Sequence, residues 1–197
     1  MKKKAKIFIG FIFILACLSS VLIFSGCGSK KNQKVQVEME NGDTFVIELY
    51  PEFAPKTVDN FVKLVNEGFY DGLTFHRVID GFMAQGGGFD ANGVEKPSDS
   101  IYGEFANNGY TKNTLKHTRG VVSMARIGNM NDSASSEFFI MYNSAPGLDG
   151  DYAAFGKVTE GMDVVDKFLK VERTAGADGN ISTPVTPIII KKMTVVK

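Results

Sequence analysis

The sequence predicts a mainly β domain, a barrel or sandwich of about eight short strands with two helices. Three observations carry that expectation. Apolar and polar residues alternate from Val35 onward, one stretch near residues 54–70 switches to a helical period, and short apolar runs follow one another with glycine and asparagine between them.

The alternation sets Val35, Val37 and Met39 against Gln36, Glu38 and Glu40, and then, beyond Asn41-Gly42, Phe45, Ile47 and Leu49 against Val46 and Glu48. Two alternating runs around Asn-Gly predict a β-hairpin, because both residues tolerate the positive φ of a tight turn. In "APKTVDNFVKLVNEGFY" the apolar residues Val58, Phe61, Leu64 and Val65 recur three or four apart, with Pro55 near the start and Gly68 at the end. That is an amphipathic helix with start and stop chemistry. The runs "LTFHRVI", "FMAQGGGF", "GVVSMARI", "EFFIMY", "AAFGKV" and "PIIIKKMTVVK" supply further strands. In "EGMDVVDKFLK" Met162, Val165, Phe168 and Leu169 share one face of a second, shorter helix. No repeat of 20–50 residues is present, which excludes solenoids and propellers.

Ahead of this domain, "MKKKAK" and the uncharged run from Ile7 to Phe24 read as the basic and apolar regions of an export signal. An uncleaved membrane helix is the competing reading, since 18 apolar residues reach the lower limit for a span. "FSGCGSKK" resembles the lipobox of bacterial lipoproteins, with Phe24 where that family usually has leucine. The resemblance implies a signal peptide at residues 1–26, cleavage before a diacylglyceryl Cys27, a polar tether over 27–34 and a folded domain over 35–197. Either reading places the domain outside the cytoplasm and holds it at the membrane. Cys17 lies in the leader and Cys27 in the anchor, so the domain has no thiol for a disulfide, metal or nucleophile. The chain has 22 basic and 22 acidic residues, but Lys2, Lys3, Lys4 and Lys6 belong to the leader, which leaves 18 against 22 and a net charge of −4. A mildly acidic domain without a basic stripe is a poor nucleic-acid binder.

"FHRVIDGFMAQGGGF", "SIYGEF", "LKHTRGVVSMA", "SEFFI" and "LDGDYAAFGKVTEGMDVVD" together, in this order, resemble the cyclophilin family of peptidyl-prolyl cis/trans isomerases. The similarity runs from about Val35 to the C-terminus. It implies a closed eight-stranded antiparallel barrel capped by two helices, an enzyme without cofactor or metal, a monomer, and proline-containing unfolded or exported polypeptides as partners. Arg77 matches the family's catalytic arginine. Gln85 matches the amide that binds the substrate carbonyl and orients that arginine. Phe82, Met83, Phe139 and Leu148 match the proline pocket, and Ala125, Arg126, Glu137 and Tyr152 fall at further substrate-binding positions.

The reaction fits these residue types. Rotation about a peptide bond faces a barrier of roughly 18–20 kcal/mol because the nitrogen lone pair is delocalised into the carbonyl. At X-Pro bonds the two isomers are close in energy, yet they exchange only over tens to hundreds of seconds. A catalyst must favour the twisted state, in which the proline nitrogen regains its lone pair, and a permanently protonated guanidinium is a suitable donor to it. A ~10⁴-fold acceleration requires about 5.5 kcal/mol, whereas one charge-assisted hydrogen bond contributes ~1.5–3. The remainder must come from electrostatic preorganisation and tighter grip on the twisted substrate.

Several features depart from the pattern or compete with it. Glu137 stands where the family commonly has glutamine, and a carboxylate there is expected to pair with Arg77 or to repel acidic substrates. The rival reading is therefore a noncatalytic module or chaperone that grips proline segments. Arg126 replaces a frequent asparagine, and Gly147 and Tyr152 replace the tryptophan and histidine of well-known eukaryotic members, which argues against strong cyclosporin binding. A two-residue loop at Asp80-Gly81 sets Arg77 opposite Ala84, on the other face from Met83 and Gln85, so a shared site requires a longer or bulged turn. His76 is expected to be structural, since no proton moves, and His117 to be a hydrogen-bonding residue at the barrel rim; two histidines so far apart lack metal-site spacing. "GGG" at 86–88 lacks a phosphate loop's lysine-serine pair and reads as a strand-end turn. Ser135-Ser136 lacks a nucleophile elbow, and "DGDY" lacks the remaining ligands of a calcium loop.

Overall fold

Period-two alternation becomes a hairpin in the computed structural model, which describes residues 32–196. The expectations for the leader and Cys27 lie outside the described residues. Strands β1 (Lys34–Met39) and β2 (Thr44–Leu49) pair antiparallel, and Val35, Val37, Met39, Phe45, Ile47 and Leu49 all turn inward and are buried. At the turn Gly42 has φ 85°, and the Asn41 side-chain oxygen accepts the Asp43 N–H at 3.0 Å.

Helix α1 (Pro55–Asn66) buries Thr57, Val58, Phe61, Leu64 and Val65. Beyond it come β3 (Arg77–Ile79), β4 (Met83–Gly86), β5 (Val121–Met124), β6 (Phe138–Met141) and β7 (Ala154–Glu160). Helix α2 (Met162–Lys167) leads into a hairpin of β8 (Arg173–Ala175) and β9 (Ile181–Pro184), and β10 (Ile190–Val196) completes the chain. Helix α2 gives way to a 3₁₀ turn at Phe168–Lys170. Val164, Val165 and Phe168 are the buried residues, while Met162 and Leu169 are only partly covered.

Eight strands form one antiparallel sheet in the order β10-β1-β2-β7-β5-β6-β4-β3. The expectation of a closed barrel needs correction: the sheet is a curled half-barrel whose edge strands β3 and β10 form no ladder with each other. Its edges are tied only at one end, where Phe75 N–H reaches the Ile188 carbonyl at 2.9 Å and Ile190 N–H the Leu73 carbonyl at 2.8 Å. Pro184 and Pro187 precede β10 and have no N–H to extend the pairing. The β8–β9 hairpin, which the sequence reading did not anticipate, packs beside β3 instead.

Phe61 of α1 is the centre of the sheet's concave core, with ring centroids 5.3 Å from Tyr70, 5.5 Å from Phe138 and 5.0 Å from Phe155. Ala54, which precedes α1, offers no side-chain cap. The buried Glu104 carboxylate does so from a distant loop, accepting the N–H groups of Lys56 at 3.1 Å and Thr57 at 2.8 Å and the Thr57 hydroxyl at 2.8 Å. An anion at a helix N-terminus satisfies orphan donors and complements the helix dipole. Glu104→Ala leaves these groups buried without a partner and is expected to lower the unfolding free energy in urea by about 3 kcal/mol, with Glu104→Gln losing less. An unchanged midpoint in the alanine variant would contradict the cap.

Candidate active site

The strands that face the core with one set of residues face a cleft with the other. In β6, Phe138 and Ile140 belong to the main core, while Phe139 and Met141 join a second apolar cluster with Met83, Val121 and Ala154 on the opposite side. Strand alternation requires this split. Register then aligns the cleft side chains across the sheet: Arg77 pairs with Gln85, Gln85 with Phe139, and Phe139 with Ser123. The row Arg77-Gln85-Phe139-Ser123 crosses β3, β4, β6 and β5 as one rung.

The rung exists because the β3–β4 loop is one residue longer than a two-residue turn. Ile79 pairs with Met83, so Asp80, Gly81 and Phe82 form the loop. Phe82 N–H closes it onto the Ile79 carbonyl at 3.1 Å, and Gly81 takes φ 70°, a value costly for residues with a Cβ. This is the longer turn that a shared site demands, and it brings Phe82 to the cleft mouth.

Nine of the sequence-predicted residues line a single cleft of about 250 Å³: Arg77, Phe82, Met83, Gln85, Ala125, Arg126, Phe139, Leu148 and Tyr152. Glu137 lies in an adjoining cleft of about 280 Å³, which shares Gln85, Ala125 and Arg126 with the first and also contains Glu95. The Arg126 guanidinium sits over the rings of Tyr152 (4.7 Å) and Phe105 (5.4 Å), and its Nε–H donates to the Asp151 carbonyl at 2.9 Å. Cation–π contact and that bond hold it along the wall between the clefts.

Glu137 does not pair with Arg77. Its Oε2 accepts Gln85 Nε2–H at 2.6 Å, and Gln85 Oε1 accepts Arg77 Nη1–H at 3.3 Å. Because a carboxylate only accepts, Glu137 fixes which end of the Gln85 amide faces which neighbour. Gly88 makes room for this arrangement, since a Cβ there would stand 2.5 Å from Glu137 Cγ. Burial raises the Glu137 carboxyl above its ordinary value; the Gln85 bond opposes that rise and nearby Glu95 adds to it. The rival reading, in which Glu137 spoils the arginine, thus loses its motive: the carboxylate orders the amide that contacts the arginine.

His76 lies 3.5 Å from Glu137 Oε2, a separation too long for a good hydrogen bond. Burial, reinforced by the Arg77 charge, brings the imidazole down to about 4, so it is neutral at physiological pH and the contact is not an ion pair. The ring packs edge-on against Phe89 at 4.7 Å, as expected of a structural residue.

His117 is fully buried rather than at the rim. Its Nδ1–H donates to Asp149 Oδ1 at 3.0 Å, and its Nε2 accepts from Ser123 Oγ at 3.0 Å. The residue types match a hydrolase triad, but Ser123 is 0 % exposed and has no route to a substrate. Burial lowers the His117 pKa, while the Asp149 bond works against that shift. The imidazole stacks on Phe139 at 6.0 Å, and Tyr152 meets the same ring edge-on at 5.7 Å. This row is a scaffold that fixes the cleft floor.

One charged neighbour of the arginine escaped the sequence reading. Asp178, in the β8–β9 turn, accepts Arg77 Nε–H on Oδ2 at 2.7 Å. That bond holds the Asp178 carboxyl far below the usual carboxylate range. Asp178-Gly179 is itself a hairpin signal, but nothing local states that the turn lies over Arg77. Among the described residues no helix is long and apolar enough to cross a membrane, and no group of three or more His, Cys, Asp or Glu is placed to hold a metal ion.

Comparison with known proteins agrees with this geometry. The family model for cyclophilin type peptidyl-prolyl cis-trans isomerases matches residues 34–195. Peptidyl-prolyl cis-trans isomerase B of Bacillus subtilis is 48% identical over 125 residues, covering 64% of this chain and 82% of its own. A peptidyl-prolyl cis-trans isomerase of Acinetobacter baylyi is 44% identical over 161 residues, covering 78% and 81%. Among solved structures, a cyclophilin type peptidyl-prolyl cis-trans isomerase of Cryptosporidium parvum superposes with TM-score 0.70 at 29% identity, over 85% of this chain and 99% of that one. The same protein in the presence of the dipeptide Ala-Pro gives TM-score 0.68 at 29% identity, over 84% and 99%. Fold, cleft and relatives converge: the chain belongs to the cyclophilin-type peptidyl-prolyl cis-trans isomerase family.

Proposed function

We propose that this isomerase uses Arg77 as the donor to the proline nitrogen, and that its substrates are X-Pro bonds in polypeptides exported from the cytoplasm. The rung Arg77-Gln85-Phe139 carries the first part. It sets a permanent cation, an amide and an aromatic floor side by side in one cleft. Met83, Phe139 and Leu148, with Phe82 at the mouth, offer an apolar seat for a ring that has no donor of its own. Gln85 offers its second Nε2–H to the substrate carbonyl, and the guanidinium stabilises the nitrogen lone pair that appears only when the bond twists. An interaction stronger in the transition state than in the ground state is the kind that accelerates. The structure of the Cryptosporidium relative with Ala-Pro supports a proline-containing ligand. No proton is transferred, so neither the neutral His76 nor Glu137 has to act as acid or base.

The second part rests on the leader. A basic start, an apolar run to Phe24 and Ser25-Gly26-Cys27 support export, cleavage before Cys27 and a diacylglycerol anchor that keeps the isomerase outside the cytoplasm at the membrane. A second copy is not required to complete the cleft, and a monomer suffices for the chemistry.

In a proline-peptide isomerisation assay, Arg77→Ala is expected to lower kcat/KM roughly 10- to 100-fold, the worth of one charge-assisted hydrogen bond. A variant as fast as the wild type would remove Arg77 from the reaction. Intact-mass analysis of the membrane fraction is expected to show a chain beginning at diacylglyceryl Cys27, and one beginning at Met1 would overturn the anchor.

A further inference from the structure

The β8–β9 hairpin lies outside the eight-stranded sheet, yet its turn makes the shortest hydrogen bond to the arginine of the cleft. We infer that Asp178 is a positioning residue for isomerisation, holding the Arg77 guanidinium in the orientation that the twisted peptide requires. The inference rests on Arg77 being the catalytic donor.

An arginine side chain on a three-residue edge strand has many rotamers, and strand pairing fixes only its backbone. Two bonds fix the head group. Gln85 Oε1 accepts from Nη1 at 3.3 Å, with Met83 Sδ at 3.8 Å beside it, and Asp178 Oδ2 accepts from Nε at 2.7 Å. These anchors grip different nitrogens of one rigid plane. Among the described residues nothing accepts from Nη2, which leaves that nitrogen free for the substrate.

Asp178 is itself held in place. Its Oδ1 accepts the Asn180 N–H at 3.0 Å and the Ser182 hydroxyl at 3.2 Å, so Oδ2 alone faces the arginine. β9 packs against β3, which brings the turn to the cleft wall. The Arg77 and Asp178 side chains are only 29% and 27% exposed. Two effects oppose each other here. A carboxylate beside the catalytic cation weakens the field felt by the substrate, while the bond removes the reorganisation that a mobile arginine must undergo during the reaction. Guanidinium remains charged whatever its partner, and preorganisation is the larger contribution where the donor acts at a fixed point.

The test is steady-state isomerisation by the full chain in mild detergent, comparing Asp178→Ala, Asp178→Asn, Arg77→Ala and the Asp178→Ala/Arg77→Ala double variant. Asp178→Ala is expected to lower kcat about tenfold, roughly one charged hydrogen bond, with KM within about twofold because the apolar seat is untouched. Asp178→Asn keeps a single oxygen, so one that accepts Nε–H turns its NH2 toward the Asn180 N–H; it should recover part of kcat, more than Asp178→Ala and less than the wild type. In the Arg77→Ala background, Asp178→Ala should cost nothing further. Unchanged or raised kcat in Asp178→Ala overturns the inference, as does an equal loss with and without Arg77, which would mark a general loosening of the fold. If Arg77→Ala is fully active, the catalytic reading fails first and the positioning role falls with it; if only the Asp178 variants are silent, that reading survives.

Discussion

Adjacent residues of a strand face opposite ways, and this constraint places the site. Phe138 meets Phe61 and Tyr70 in the main core, so Phe139 must point to the other face of β6. The same rule turns Val78 and Ala84 inward and leaves Arg77, Met83 and Gln85 to the cleft. The cleft is thus the second face of a sheet whose first face is buried around α1. A one-residue slip in β3–β4 pairing would exchange Gln85 for Ala84 opposite Arg77. The three-residue loop closed at Phe82, with Gly81 in the left-handed region, is therefore as much part of the site as the arginine.

Around that rung the polar side chains hold one another in order. Glu137 takes one proton of the Gln85 amide, Gln85 turns its oxygen to Arg77, and Asp178 takes Nε–H from the other side. The apolar seat is fixed in a comparable way. The Asp149-His117-Ser123 row lies under Phe139, and Tyr152, itself under Arg126, abuts its edge. Glu137 and Asp178 brace the electrostatic half of the cleft, and Asp149, His117 and Ser123 the apolar half, from outside its lining, as a site acting by preorganisation requires.

Much of this was legible in the sequence. Alternation gave β1 and β2 residue by residue, and the three-four spacing of Val58, Phe61, Leu64 and Val65 gave α1. The five cyclophilin-like blocks, with Arg126 just beyond the third, brought nine cleft residues into view, because the motifs follow strands whose register the fold dictates. What was not legible depended on contacts between distant segments. Glu104 caps α1 from a loop 47 residues away in sequence. Asp178 reaches Arg77 across 101 residues. The carboxylate of Glu137 looked threatening beside an arginine, and only the geometry shows that Gln85 stands between them. The closed barrel was overstated because two prolines before β10 interrupt the final pairing, a local cue whose consequence depends on where β3 lies.

The central claim is that Arg77 is held in one orientation before substrate arrives, and side-chain NMR reads this directly. ¹⁵N relaxation of the Arg77 Nε–H group in the ligand-free protein is predicted to give an order parameter near that of rigid backbone, about 0.85. A value below about 0.6, the range of flexible groups, would show a freely reorienting guanidinium and contradict the account.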